Sequence, residues 1–501
     1  MTELSLRHSS GLVRPTLILL LICSLCVFAA APAGAQSLFR QLSQDVFSGG
    51  NGQHMTEVEP GAFAYGSTIV VAFQVARVVN GGGMDIGWAT STNGGIAWTN
   101  GYLPGLTQWY QGGTYSAASD PSVAYDLKHG VWIINYLPIA GGVNVGVSRS
   151  TDGLHWDNPV FVFLGGNADK NWINCDNTPT SPYYGNCYMG WDNSEIQMTT
   201  SHDGGLTWSS PQGTQNFDYG IGINEVIQPN GTVVVGFADY NGGMSAFTST
   251  NGGQSWNGAR SISSAPSHGE AGGLRSPGLP STAIDGAGRV YVSWPDCRFE
   301  SGCNANDIVF SYSDDGINWS SVSRIPIDPI NSGVDHFING MGINPKTSGS
   351  SAQIGVTYYY YPVSNCGNSC TLYAGWTQSS DGGATWTAGR QISPGMQVTP
   401  SPSWLPQSQN GLMVADYVST VFVGPRGFPI YVIANPKSGS TFQEAAYTEG
   451  YGFPFTGTSQ PTYSSANDMP IPGIQSDHPP RSPEDRDNEI PSQTGKTPPR
   501  D

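Results

Sequence analysis

Apolar and polar positions alternate along this chain in short bursts, and nowhere do they hold the 3.6-residue period of a long amphipathic helix. The runs Thr232–Ala238, Arg289–Trp294 and Ile354–Tyr361 are rich in Val, Ile and Tyr and are bounded by Gly, Pro and Asn, which predicts strands. The bursts come in pairs around a turn, each pair entered through polar residues. Examples are EVEPGAFAYGSTIVVAFQVAR from Glu57, SDPSVAYDLKHGVWIINYL from Ser119 and NEVIQPNGTVVVGFADY from Asn224. The pattern predicts an all-β chain.

A short phrase punctuates these pairs six times: STNGGIAW from Ser91, STDGLHW from Ser150, SHDGGLTW from Ser201, STNGGQSW from Ser249, SDDGINW from Ser313 and SSDGGATW from Ser379. The closing tryptophans lie 58, 52, 48, 63 and 67 residues apart, a spacing that marks a repeat protein. Asn93, Asp152, Asp203, Asn251, Asp314 and Asp381 read as turn formers, because a short polar side chain beside Gly can hydrogen-bond its own backbone. Trp98, Trp156, Trp208, Trp256, Trp319 and Trp386 follow the turns and are expected to pack between neighbouring units. Each module then reads as strand, turn, strand, loop, strand, phrase, strand: one four-stranded propeller blade. A seventh unit, Met413 to Gly439 and onward from Phe442, lacks the phrase. Its outer strand is expected from the N-terminal piece Ser37 to Asp45, which would close the ring. We therefore expect one propeller over residues 36–456, with seven blades favoured over six. The Pro-, Ser- and charge-rich segment 457–501 is expected to be a disordered tail.

The copies at Ser91, Ser201, Ser249 and Ser379 fit S-x-[DN]-x-G-x-x-W, and those at Ser150 and Ser313 are one residue short, so their turns must close differently. These features resemble the Asp-box, or BNR repeat, of the sialidase-like β-propellers of the neuraminidase superfamily. The resemblance covers most of the chain after residue 36. It implies that the boxes are structural and lie on the face away from an active site, between the third and fourth strands of a blade. It also implies a secreted glycoside hydrolase of the exo-sialidase type or a propeller that recognises glycans. The alternative is a non-catalytic carbohydrate- or protein-binding, or scaffold, propeller. Such a sialidase clamps the substrate carboxylate with three arginines, for which Arg77, Arg275 and Arg298 are the candidates, since the planar guanidinium binds a carboxylate bidentately. Tyr417 beside Glu57 or Glu59 is the candidate nucleophile pair, and Asp120 the candidate acid/base. The family's Arg-Ile-Pro triplet belongs near the start of the propeller, whereas here it stands at Arg324 to Pro326, after the fifth copy.

Three further readings complete the picture. Arg7 and Arg14 precede the apolar run Leu17 to Ala30 and the Ala33-Gly34-Ala35 cleavage pattern, which predicts a signal peptide over 1–35 and a secreted protein. The remaining cysteines fall in close pairs, Cys175 with Cys187, Cys297 with Cys303 and Cys366 with Cys370. In an oxidising compartment these read as three local disulfides, because their intervals do not match paired zinc ligands. A net charge of −17 with only 11% charged residues leaves no footprint for nucleic acid, and no later run is long enough for membrane insertion. The expected partner is a carbohydrate and the expected state a monomer. No cofactor is firmly indicated, although the acidic rim of Glu57, Glu59, Asp120, Asp169, Asp335 and Asp416 could hold Ca²⁺.

Overall fold

The structure, a computed structural model, describes residues 39–455 continuously, together with 1–2, 462–464, 468–470 and 474–475. The expected signal peptide and most of the expected tail lie outside the described residues. Within the tail segment, Thr462–Tyr463 pairs with Trp386–Thr387. Among the described residues the chain is all-β, with three short 3₁₀ turns as its helical pieces.

The strands group into successive antiparallel meanders that do not close into one barrel. Their first strands are Gly52–Tyr65, Ala117–Asp126, Asp169–Cys175, Gly220–Ile227, Ser281–Ile284, Asp335–Ile343 and Ser419–Val423. The third meander has three strands where the sequence predicts four. The last meander takes its fourth strand from the beginning of the chain: Phe39–Gln41 pairs antiparallel with Glu444–Glu449.

Side-chain hydrogen bonds link each meander to the next, mostly between their first strands, and the last to the first. Ser119 Oγ accepts from Gln74 Nε2 of the first meander at 3.0 Å, and the Lys170 amide donates to Asp120 at 3.0 Å. Asn174 donates to the Glu225 carbonyl at 3.1 Å, and the Thr282 amide to Asn224 at 3.2 Å. The Met341 amide donates to Ser281 at 2.9 Å, Thr420 to the Gly340 carbonyl at 2.8 Å, and Ser419 to the Pro60 carbonyl at 3.0 Å. The backbones approach so closely that a Cβ on Gly340 would stand 2.2 Å from the Val418 carbonyl oxygen. Only glycine fits there.

Five first strands share a defect. The pairing register slips, and one residue takes positive φ: Glu59 (53°), Asp120 (47°), Lys170 (47°), Gly222 (68°) and Ile338 (48°). A bulge of this kind re-aims a side chain at a chosen place in a sheet. Left-handed backbone is disfavoured for any residue with a Cβ and most of all for β-branched Ile338, so the surrounding packing must hold it.

The serine–aspartate–glycine turns form as expected, in two lengths. In the full-length copies the serine hydroxyl accepts from the amide four residues on, as in Gly95 to Ser91 (2.9 Å) and Gly205 to Ser201 (2.9 Å). In the short copies it accepts three residues on, from Gly153 to Ser150 and Gly316 to Ser313, both 2.8 Å. The fifth copy corrects the sequence reading by one residue. Asp315, not Asp314, accepts from the Ile317 and Asn318 amides at 2.8 Å, while Asp314 pairs with Arg289 at 2.7 Å. Three of the indoles are buried against the preceding meander: Trp156 near Trp88 (6.5 Å), Trp256 near Tyr188 (6.1 Å) and Trp386 near Phe310 (5.9 Å). Trp98, Trp208 and Trp319 are half-buried. All three disulfides are formed with the predicted partners.

The seam between the first and last meanders buries acid. Glu57 accepts from Ser43 at 2.7 Å through one oxygen, the other has no partner, and burial followed by the nearby Asp45 pushes its pKa up to about 8. Glu444, which pairs with Thr56, has neither carboxylate oxygen satisfied and is also raised, by burial and then by Glu57. The folded chain therefore holds these protons where the unfolded chain has released them, so stability falls as pH rises from about 4.5 to about 8. Scanning calorimetry from pH 5 to 8 should show Tm decreasing, and Glu57→Gln should flatten that slope and be the more stable protein at pH 8 by a few kcal/mol. An unchanged slope in the variant would remove Glu57 from the account.

Candidate functional site

Where the bulges re-aim the first strands, charged side chains from four meanders meet. Lys170 Nζ lies 2.7 Å from Asp416, 3.2 Å from Glu59 and 3.5 Å from Asp120, with all four side chains at most 2% exposed. Arg275 also grips Asp416, its Nε at 2.7 Å from Oδ1 and its Nη2 on Oδ2, the oxygen that Lys170 contacts. Gln74 donates to Glu59 and to Ser119, and Ser119 in turn donates to Asp120 at 2.8 Å. Burial raises Asp120 and Asp416, but the adjacent cations outweigh it. Lys170 leaves Asp120 below the usual carboxylate range, and Arg275 then Lys170 hold Asp416 well below it. Burial lowers Lys170, yet Asp120, Asp416 and Glu59 together raise it well above an ordinary lysine. The cluster is a closed ionic lock at neutral pH.

The predicted site residues divide around this lock. Glu59 and Asp120 belong to it. Tyr417 lies beside it, its hydroxyl donating to the Pro121 carbonyl at 3.1 Å and its ring edge-on to Trp172 at 5.4 Å. Burial, then Glu59, Asp120 and Asp416, raise the Tyr417 hydroxyl well above its ordinary value. Glu57 is elsewhere, in the acidic seam. Arg77, fully buried, donates to the Gly82 carbonyl at 2.8 Å and to Met413 sulfur at 3.0 Å. Arg77 and Arg275 thus flank the same segment, Met413 to Asp416. Arg298 does not join them: it is held by Asp296 at 2.7–2.8 Å and by Ser263 at 3.1 Å, on the fifth and fourth meanders. For the acidic rim, Lys170 supplies the positive charge among Glu59, Asp120 and Asp416 that a hard cation would bring. Asp335 is apart, 3.1 Å from His268.

Lys170 is the residue whose weight sequence reasoning underrated. The signal was present, because Glu59-Pro60, Asp120-Pro121 and Lys170-Asn171 occupy one register at successive strand entries. A second acidic group, Asp307, Asp328 and His336, gathers within metal-ligand spacing. Arg324 already spans it, 2.8 Å from Asp307 and 3.0 Å from Asp328, so the arginine of the Arg-Ile-Pro triplet serves these two aspartates.

Below the lock, a cavity of about 490 Å³ runs along the first strands. Its walls include Lys170, Trp172 and Tyr417 at one end and Tyr65, Pro229, Gly286 and Pro345 at the other, with Asn171, Glu225, Thr282 and Asn339 between. That size falls within the ~300–1,000 Å³ of small-molecule sites.

No family model matches the chain, and no curated protein matches it. Solved structures do resemble it. A protein of unknown function from Dyadobacter fermentans matches at TM-score 0.45 and 15% identity, over 68% of this chain and 99% of that one. The Hadza microbial sialidase Hz136 matches at TM-score 0.41 and 16% identity, over 64% of this chain and 66% of that one. A PL25 ulvan lyase matches at TM-score 0.46 and 12% identity, over 86% of this chain and all of the other. At such identities and TM-scores these likenesses establish no family.

Proposed function

We propose that the chain is a secreted, seven-bladed propeller of the sialidase-like kind that recognises an extracellular carbohydrate without hydrolysing it. The observation that carries the reading is Lys170. An acid/base residue works best with a pKa near the ambient pH, and a tyrosine nucleophile needs an easily lost proton. The ionic lock drives both the other way, holding Asp120 ionised and Tyr417 protonated. The third clamp arginine, Arg298, is spent on Asp296. Support for a wheel of seven comes from the first strands, which hydrogen-bond in sequence and return from Ser419 to Pro60. Support for a sugar ligand comes from the repeat's resemblance and from a cavity wall that mixes aromatic rings with side-chain amides. The disulfides suit an oxidising compartment. Among the described residues no helix is long and apolar enough to cross a membrane.

The test has two arms on the same protein. Incubation with a fluorogenic sialoside should release no aglycone above the blank, while an array of immobilised polysaccharides should retain the protein, with Arg298→Ala retained equally. Turnover that disappears in Tyr417→Phe and Asp120→Asn would replace this reading with the hydrolase.

A further inference from the structure

We infer that the N-terminal strand is a proton-operated latch: residues 39–44 let go of the last meander while the rest of the fold stays shut, and their release is coupled to proton loss from Glu57 and Glu444. The segment is held by few contacts. The side chains of Phe39–Gln41 are exposed, and between them and Asp45 only Leu42 and Ser43 are buried. Beyond the ladder of Phe39–Gln41 with Glu444–Glu449, the Leu42 amide donates to the Ala446 carbonyl and the Ala446 amide to Ser43 Oγ, both at 2.8 Å. The first meander adds Asn100, which donates to the Leu42 carbonyl at 3.0 Å, and Tyr102, which donates to the Gln44 carbonyl at 2.5 Å. Asp45 accepts from the Phe47 and Met55 amides at 2.7 and 2.8 Å, so the turn behind the latch is fixed to the first meander and the hinge falls between Gln44 and Asp45. A segment that buries so little opens at a lower free energy than the core.

Ser43 couples the strand to the acids. The same hydroxyl that accepts from Ala446 donates to Glu57 at 2.7 Å, the one hydrogen bond made to that carboxyl among the described residues. Glu57 and Glu444 are each 1% exposed, and one oxygen of Glu57 and both of Glu444 find no partner. A carboxyl buried in this way is far better tolerated protonated than ionised. The charged and titratable groups around the pair do not reverse this. Asp45, Tyr102 and Tyr447 face Glu57, while Arg77 and Lys437 stand near Glu444 without offsetting its burial. Glu449, opposite Phe39 and near Arg390, is a third buried acid on the same edge, pushed up to about 7 by burial.

Withdrawal of Ser43 removes the hydrogen bond from Glu57 and lets water reach the seam, so the open latch gives up protons that the closed latch keeps. The closed-form value lies above the open one, and opening is therefore favoured as pH rises from about 4.5 to about 8, levelling off above. Alkaline medium frees the strand before it unfolds the rest.

Hydrogen exchange of the full chain, read by mass spectrometry at pH 5, 6 and 7 and corrected for the intrinsic chemical rate, tests this. Peptides covering 39–44 should open well before the core strand Val233–Asp239, with an opening constant that rises about tenfold per pH unit for each proton released. Glu57→Gln keeps the side chain's shape without its titration and should take one such factor of about ten out of the slope, and Glu444→Gln should do the same. Ser43→Ala should raise opening about tenfold at every pH and leave the slope in place, which keeps the test intact where a glutamine variant misfolds. An opening constant that ignores pH in the parent, a slope that both glutamine variants retain, or exchange of 39–44 only in step with Val233–Asp239 overturns the inference.

Discussion

Lys170→Met should unfold at markedly lower denaturant than the parent, with a loss of about 3–5 kcal/mol, because removing one partner strands buried charge. The substitution keeps an unbranched apolar stem of four heavy atoms, with sulfur in place of Cδ, and deletes the ammonium that Asp416, Glu59 and Asp120 share at 2.7, 3.2 and 3.5 Å. Arg275 still serves Asp416, so the uncompensated carboxylates are Glu59 and Asp120. Two consequences separate this from simple loss of packing. Acidification should recover part of the stability, since protonation removes the stranded charge, and adding Glu59→Gln with Asp120→Asn should recover it at neutral pH. A urea midpoint that stays put in Lys170→Met would show that the lock contributes nothing net.

Trp386→Ala should cost about 3–5 kcal/mol, as expected for truncating a fully buried aromatic. The indole is wholly buried, lies 5.9 Å from Phe310 of the preceding meander, and donates its Nε1 proton to the Gly383 carbonyl at 3.0 Å within its own turn. It joins two units and one turn at once. Trp208→Ala, at a half-buried copy of the same position, should cost clearly less. Thermal melts of the two variants side by side decide the matter. Equal losses would mean that the indole acts within its turn and does not bridge the units.

The turns and strands were legible because their physics is local. Ile354–Tyr361 is a strand with the bounds read from its Val and Tyr content, and the loss of one residue in the Ser150 copy implied a turn that closes differently, which it does by closing one residue sooner. Cysteine pairing followed from proximity in sequence. The site was less legible because its geometry is set between units. Arg298 is the exception, captured by Asp296 two residues before it, whereas the weight of Lys170 emerges only when two other strands and the segment that carries Asp416 are placed around it. The register of Asp314 against Asp315 failed for a smaller reason. Both are aspartates, but in the other five copies the turn residue stands two positions after the serine, which here is Asp315, and the hydrogen bonds to Ile317 and Asn318 agree.

The pairing of Phe39–Gln41 with Glu444–Glu449 has a kinetic meaning. Phe39–Gln41 waits for a neighbour that lies some four hundred positions later in the chain, so this unit stays unfinished until the intervening stretch has been made. Contacts of such long separation are slow to form, and the exposed edge of the last sheet is the place where an incomplete molecule meets another copy. A nascent chain therefore carries Phe39–Gln41 unpaired until Glu444–Glu449 has been made.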